Sequence, residues 1–305
     1  MINDYVIKLI ENLPDEIKNS NEPKVIDLIL DGGIFNGSYL VGALHFLKEM
    51  ETRKYIKIDR ISGCSVGSIV SFLYYIDGLD IMPQLYEIIN THFKETYNLK
   101  LIKELKKLLG NKIPNNICQK VNGKLFITYN NIKKGTKPVK SSYKDLDDIL
   151  NTIIRSSYIP FLIDGNILYE NKCIDGINPY IFNKEPDKKI LYLDLFGYDK
   201  IGNLLNVKNE KSNYHRILSG LLDIHSFYIK QSNTQMCSYV NDWKLNNILF
   251  NYFKLLVEKI CIYFILILIL IKEKTPVEFK DTIISKIILK ISQDIFIILL
   301  ENYCI

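Results

Sequence analysis

Two glycine-bounded turns, each closing a strand-like run, constrain the fold of this chain more than any other feature. Val25-Ile26-Asp27-Leu28-Ile29-Leu30 opens into Asp31-Gly32-Gly33, and a second run, about Ile56 to Ile61, feeds Gly63-Cys64-Ser65-Val66-Gly67. A helical pattern follows each turn, Tyr39 to Leu47 after the first and Ile69 to Tyr75 after the second, the latter stopping near Gly78. Strand–turn–helix repeated in this order predicts parallel strands joined by right-handed crossovers: an α/β three-layer sandwich with a mainly parallel central sheet. Leu125 to Tyr129 and Ile190 to Leu195 read as further strands.

The second turn carries the pattern G-x-S-x-G. A strand-to-helix turn this tight needs Gly63 and Gly67 around the serine, so that no side chain obstructs a hydroxyl pushed into the open. The first turn sets the backbone N–H groups of Gly32 and Gly33 at a helix start, where they suit a developing oxyanion. Together the turns point to acyl transfer with Ser65 as nucleophile. Cys64 is read as a packing residue, because such a turn presents its central member. A serine needs a base, and the residues leave two routes open. Ser65, Asp175 and His215 or His225 meet the Ser…Asp…His order of an α/β-hydrolase triad. Both histidines, however, fall in an ordinary helical pattern, Tyr214 to Ile229, and the serine comes early for that fold. The other route uses an aspartate directly, Asp175, which with Gly176 ends a short strand-like run.

Four segments, in order, resemble the motifs of the patatin-like phospholipase family over about residues 24–180. Asp31-Gly32-Gly33-Ile34-Phe35-Asn36-Gly37 resembles its D-G-G-G-x-[RK]-G loop, and Gly63 to Gly67 its G-x-S-x-G. Ser156 to Phe161 resembles an A-S-x-x-x-P-x-F-like segment, and Asp175-Gly176-Ile177 its D-G-[GA]. The resemblance implies a Ser65–Asp175 dyad, an oxyanion loop at Gly32 and Gly33, and motif positions at Gly37, Gly63, Gly67 and Gly176. It also implies no metal or organic cofactor, and phospholipid or neutral acylglycerol substrates. Three residues depart from the pattern. Ile34 stands where the third loop glycine would be and resists φ > 0, Asn36 replaces the basic residue, and Ile177 replaces Gly or Ala. They motivate an alternative reading, a catalytically weak or inactive membrane-associated protein that kept the fold.

Composition narrows the partners. A net charge of +5 is too small to indicate nucleic acid but suits an anionic membrane surface. Six scattered cysteines without C-x-x-C pairs or histidines at ligand spacing read as reduced thiols of an intracellular protein, cytoplasmic or peripheral to a membrane. Met1 to Lys18 lacks the apolar centre of a signal peptide. The domain reading is a helical lead-in over 1–20, an α/β hydrolase domain over 21–210, and an apolar helical extension over 211–305 packed on the domain or on a membrane. Residues 80–109 read as one long helical stretch ending in a basic amphipathic face, and a helix from about Tyr143 to Ser156 is expected, capped by Ser142. Ile260 to Ile271 is too short to span a bilayer. Extending it to 248–271 brings in Lys254, Glu258 and Lys259, so a transmembrane helix is not expected there. Ile283 to Leu300 carries a helical apolar stripe at 284, 287, 288, 291, 295, 298 and 299.

Overall fold

The computed structural model describes residues 2–19, 22–197, 199–208, 210–276 and 282–305. Parts of the expected lead-in (Met1, Ser20) and the side chains of Ile284 and Ile288 on the last helix's stripe lie outside the described residues. The strands are β1 (Lys24–Leu30), β2 (Ile56–Cys64), β3 (Leu125–Thr128), β4 (Asn130–Asn131), β5 (Val139–Lys140), β6 (Cys173–Ile174), β7 (Lys189–Leu193) and β8 (Cys237–Tyr239). The helices are α1 (Ile2–Glu11), α2 (Asp15–Lys18), α3 (Gly37–Thr52), α4 (Val66–Tyr75), α5 (Met82–Thr96), α6 (Leu105–Leu109), α7 (Ile117–Val121), α8 (Leu146–Ser156), α9 (Tyr214–Lys230), α10 (Leu245–Lys274) and α11 (Ile283–Tyr303).

Six strands form one sheet in the order β5-β3-β2-β1-β7-β8, while β4 pairs with β6. The central β7-β1-β2-β3 pairings are parallel and both edges antiparallel, so the mainly parallel sheet flanked by helices is present as expected. Period-two alternation divides β1 between two cores. Leu28 and Leu30 pack with α3, α4 and α9, whereas Ile29 joins Phe182, Ile190 and Val240 on the other face. Helices α3 and α9 cross in near backbone contact. A Cβ on Gly42 would lie 1.8 Å from the Ile217 carbonyl oxygen and one on Gly220 1.9 Å from that of Tyr39, so neither position accepts a side chain.

Residues after 210 build part of this body, since β8 closes one sheet edge and α9 covers α3. The helical stretch over 80–109 is broken. Helix α5 ends with Tyr97 in the left-handed region, and a 3-10 turn, Lys100–Glu104, precedes α6. Helix α8 is capped by Asp145, not Ser142. Asp145 accepts the Asp148 N–H at 2.7 Å as the N-cap, and Asp148 accepts the Lys144 N–H at 3.1 Å from the residue before it, which leaves Ser142 outside the helix. At 30 residues α10 is about 45 Å long. It buries Lys254, Glu258 and Ile265 and exposes a stripe that includes Leu249, Phe253, Leu256, Ile260 and Ile267. Among the described residues no helix is long and apolar enough to cross a membrane.

Candidate active site

Strand β2 runs straight into the elbow. Ser65, at φ 50 and ψ −130, is the single residue between β2 and α4. The turn is wedged under the end of β1: a Cβ on Gly67 would lie 2.5 Å from the Leu30 carbonyl oxygen, and one on Gly63 2.7 Å from the Gly67 backbone. The Ser65 N–H donates to Ser156 Oγ at 2.9 Å, and Ser156 in turn donates to the Thr128 carbonyl at 2.6 Å. The end of α8 thereby clamps the elbow to β3. The sequence marked Ser156 as a motif position; this clamp is its visible role.

Asp175 follows β6 directly and is buried. Its Oδ1 accepts the Ile177 N–H at 2.7 Å, and its own N–H and C=O are engaged by the Tyr158 carbonyl and Asn130 Nδ2, both at 2.9 Å. Burial pushes its carboxyl up to about 6, with the Ser65 hydroxyl and the Ile177 N–H pulling back toward the ionised form. Ser65 and Asp175 face a shared groove of about 530 Å³. Among the described residues, theirs are the oxygen-bearing side chains in its wall; the rest is glycine, proline, Cys261 and apolar chains such as Ile159, Phe161, Phe264 and Leu268. A smaller cavity on the α5 side also reaches Ser65, and Ile34 and Ile159 stand in the walls of both.

The first glycine turn meets the second here. A Cβ on Gly32 would sit 3.2 Å from Ser65 Cβ. The Gly32 N–H donates to Asp31 Oδ1 at 3.0 Å, and the Gly33 N–H has no partner among the described residues. The departures at 34 and 177 do not bend the loops away from left-handed geometry: Ile34 has φ 44 and Ile177 φ 55. β-branched residues hold this conformation only where their surroundings impose it. Asn36 is fully buried. It donates to the Lys200 carbonyl at 2.9 Å and accepts from Arg216 Nη1 at 2.7 Å. Arg216, also fully buried, pairs with Glu210.

Asp31 is completely buried and ion-paired with Lys254 of α10, whose ammonium also donates to Tyr192 OH at 2.8 Å and lies 3.5 Å from Asp194. Burial raises the Asp31 carboxyl to about 7 even though Lys254 works against the rise. Burial alone would lower Lys254, but Asp31 and Asp194 carry it above its ordinary value, so it stays a cation. Neither Lys254, Glu258 nor Arg216 was recognisable as part of the site from sequence. The available signal was two opposite charges one helical turn apart inside an apolar helix, a pattern that requires buried partners. The four histidines stand elsewhere. His45 faces Asp80, His92 faces Asn98, His215 is exposed beside Glu210, and the His225 ring packs on Phe46. Among the described residues no cluster of three or more His, Cys, Asp or Glu is placed to hold a metal ion.

The groove is thus apolar apart from Ser65 and Asp175, and the mostly parallel sheet with helices on both faces sets it at the ends of β1 and β2. The family model for patatin-like phospholipases matches residues 28–180, half of the chain, and the chain belongs to the patatin-like phospholipase family. Comparison with curated proteins gives no match.

Proposed function

We propose that the protein hydrolyses fatty-acid esters of phospholipids or acylglycerols by a Ser65–Asp175 dyad. The observation that carries this reading is the placement of these two side chains together in an otherwise apolar groove. Ser65 Oγ attacks the ester carbonyl carbon and its proton passes to Asp175. The oxyanion is held by backbone N–H groups of the Gly32-Gly33 turn, with Gly33 the donor left free for it, and the N-terminus of α4 adds its dipole. Collapse of this intermediate expels the alcohol, which takes the proton from Asp175, and leaves an acyl-serine. Asp175 then deprotonates a water that attacks the acyl carbon, releasing the fatty acid and returning the proton to Ser65. The dyad needs neither metal nor organic cofactor. The exposed apolar stripe of α10, which also lines the groove through Ile260 and Phe264, suits contact with a membrane surface that supplies substrate. A Ser–Asp–His triad is less well supported, since none of the histidines lines the groove.

Release of fatty acid from mixed phospholipid and acylglycerol vesicles, together with fluorophosphonate labelling, tests the proposal. Ser65→Ala should abolish labelling and lower turnover at least about a thousandfold, and Asp175→Asn should do nearly as much. Full turnover by Ser65→Ala refutes the reading. Loss of activity in a folded His215→Ala/His225→Ala variant would favour the triad.

A further inference from the structure

The family match ends at residue 180, yet the loops that carry the chemistry are tied to α10. This helix shows solvent an apolar stripe but turns two charged residues, Lys254 and Glu258, inward. Glu258 accepts from Asn130 Nδ2 at 3.0 Å and Asn178 Nδ2 at 2.8 Å, on either side of Asp175, and pairs with Lys137 at 2.7 Å. Lys254 reaches Asp31, the residue before Gly32. Burying these charges is costly, and an apolar chain at either position would satisfy packing alone. What the lysine does is specific. Asp31 gives one carboxylate oxygen to Lys254 and the other to the Gly32 N–H. The carboxylate therefore cannot rotate without breaking one bond, and the Gly32 peptide is fixed with it, leaving the next N–H, that of Gly33, free.

We propose that Lys254 is a positioning residue for the hydrolytic site, holding the Asp31-Gly32-Gly33 turn through Asp31 in the conformation that receives the oxyanion, so that the site is incomplete without α10. This rests on the acyl-hydrolase reading above. Lys254 also brings a cation to a loop that lacks its own basic residue at Asn36.

The test compares full-length wild type, Lys254→Met, Lys254→Arg and Lys254→Met/Asp31→Asn. It measures hydrolysis of p-nitrophenyl butyrate, thermal melting, and amide hydrogen exchange over residues 31–37. Lys254→Met should lower kcat about a hundredfold, within the range for loss of one oxyanion donor, with KM within threefold and faster exchange over 31–37. Lys254→Arg should recover at least a tenth of kcat. The double variant removes the buried Lys254–Asp31 pair together and leaves only the partly exposed Asp194 without its lysine, so it should melt near wild type yet remain slow. Wild-type kcat and exchange in Lys254→Met overturn the proposal, as does recovery of kcat in the double variant, which would reduce Lys254 to charge balance. Should Lys254→Met fail to fold, the double variant decides alone. If Ser65→Ala hydrolyses the ester as fast as wild type, the acyl-hydrolase reading falls, and the exchange data still decide whether Lys254 orders the loop.

Discussion

Gly32 separates catalysis from folding more cleanly than any other position in the site. A methyl group there would lie 3.2 Å from Ser65 Cβ, 3.3 Å from the Ile177 carbonyl oxygen and 3.4 Å from Cys64 Sγ. These contacts are tight, but shifts of a few tenths of an ångström relieve them, and the atoms that must shift belong to the proposed nucleophile, to its neighbour Cys64 and to the residue two beyond the proposed base. Gly67 is the contrast. Its methyl would meet the Leu30 and Asp31 carbonyl oxygens at 2.5 and 2.6 Å, main chain at the end of a central strand. Overpacking of that kind costs about 1–3 kcal/mol, whereas relief at Gly32 should cost under about 1 kcal/mol. Displacing the proposed oxyanion turn from Ser65 would act instead on the transition state, where loss of one donor removes about 10²–10³ in kcat, or about 2.7–4 kcal/mol. Gly32→Ala should therefore melt within about 3 °C of wild type while kcat on a soluble p-nitrophenyl ester falls about a hundredfold. Gly67→Ala should lose several degrees. Circular-dichroism melts and steady-state kinetics on the same preparations measure both. If kcat of Gly32→Ala stays within threefold of wild type, or if its melting temperature falls as far as that of Gly67→Ala, the turn is a packing feature and the oxyanion assignment is wrong.

Other perturbations probe the base and the groove. In the proposed dyad Asp175 must be ionised to take the Ser65 proton, and with its carboxyl raised to about 6, kcat/KM should fall as pH drops through about 6; a limb centred near 4 would contradict the burial argument. The same rise from 3.8 opposes folding once pH climbs through about 6, by about 3 kcal/mol. Asp175→Asn should therefore melt higher than wild type at pH 8, the gap closing toward pH 4, even as activity disappears. Ile34 stands in the walls of both cavities that reach Ser65. Ile34→Gly should join them and raise the preference for longer over shorter acyl esters about tenfold, as two more buried methylenes at ~0.8 kcal/mol each would give; an unchanged chain-length profile would place the acyl chain elsewhere.

The parts of this molecule legible in the sequence are those whose physics is local. Ser65 could be read because its elbow needs glycines two residues away on each side, and β1, β3 and β7 because buried parallel strands are short continuous apolar runs. Asp175 was readable as an Asp-Gly beside a strand-like run, although its partners Tyr158 and Asn130 come from other segments. Contacts between distant segments left little trace. Three-residue β8 is too short to register a period, and its place is set by pairing with β7. The helix expected through 80–109 breaks near Tyr97, where the Leu99 N–H bonds to the Leu162 carbonyl at 2.8 Å, a tertiary bond that helix propensity does not encode. Lys254 weakened the reading of a membrane span correctly, but nothing local tells which buried carboxylate it meets.

The same distinction changes the meaning of the motif's departures. Taken alone, Asn36 is the loss of a cation from the proposed oxyanion loop. In the fold its amide lies between the Lys200 carbonyl and the Arg216 guanidinium, both in buried surroundings, with Glu210 balancing the arginine. A lysine or arginine at position 36 would set two cations against each other with one carboxylate between them, and in low dielectric that repulsion is large. The neutral amide is the residue this neighbourhood accepts, and the positive charge reaches the loop from α9 and α10. Ile34 and Ile177 follow a related logic: each keeps the left-handed backbone that a glycine would adopt freely, at about 1–2 kcal/mol apiece. In return Ile34 gives the groove apolar wall, while the Ile177 N–H is aimed at the Asp175 carboxylate. The departures thus leave the backbone course of both loops in place, and the residues that hold it there come from beyond the motif segment.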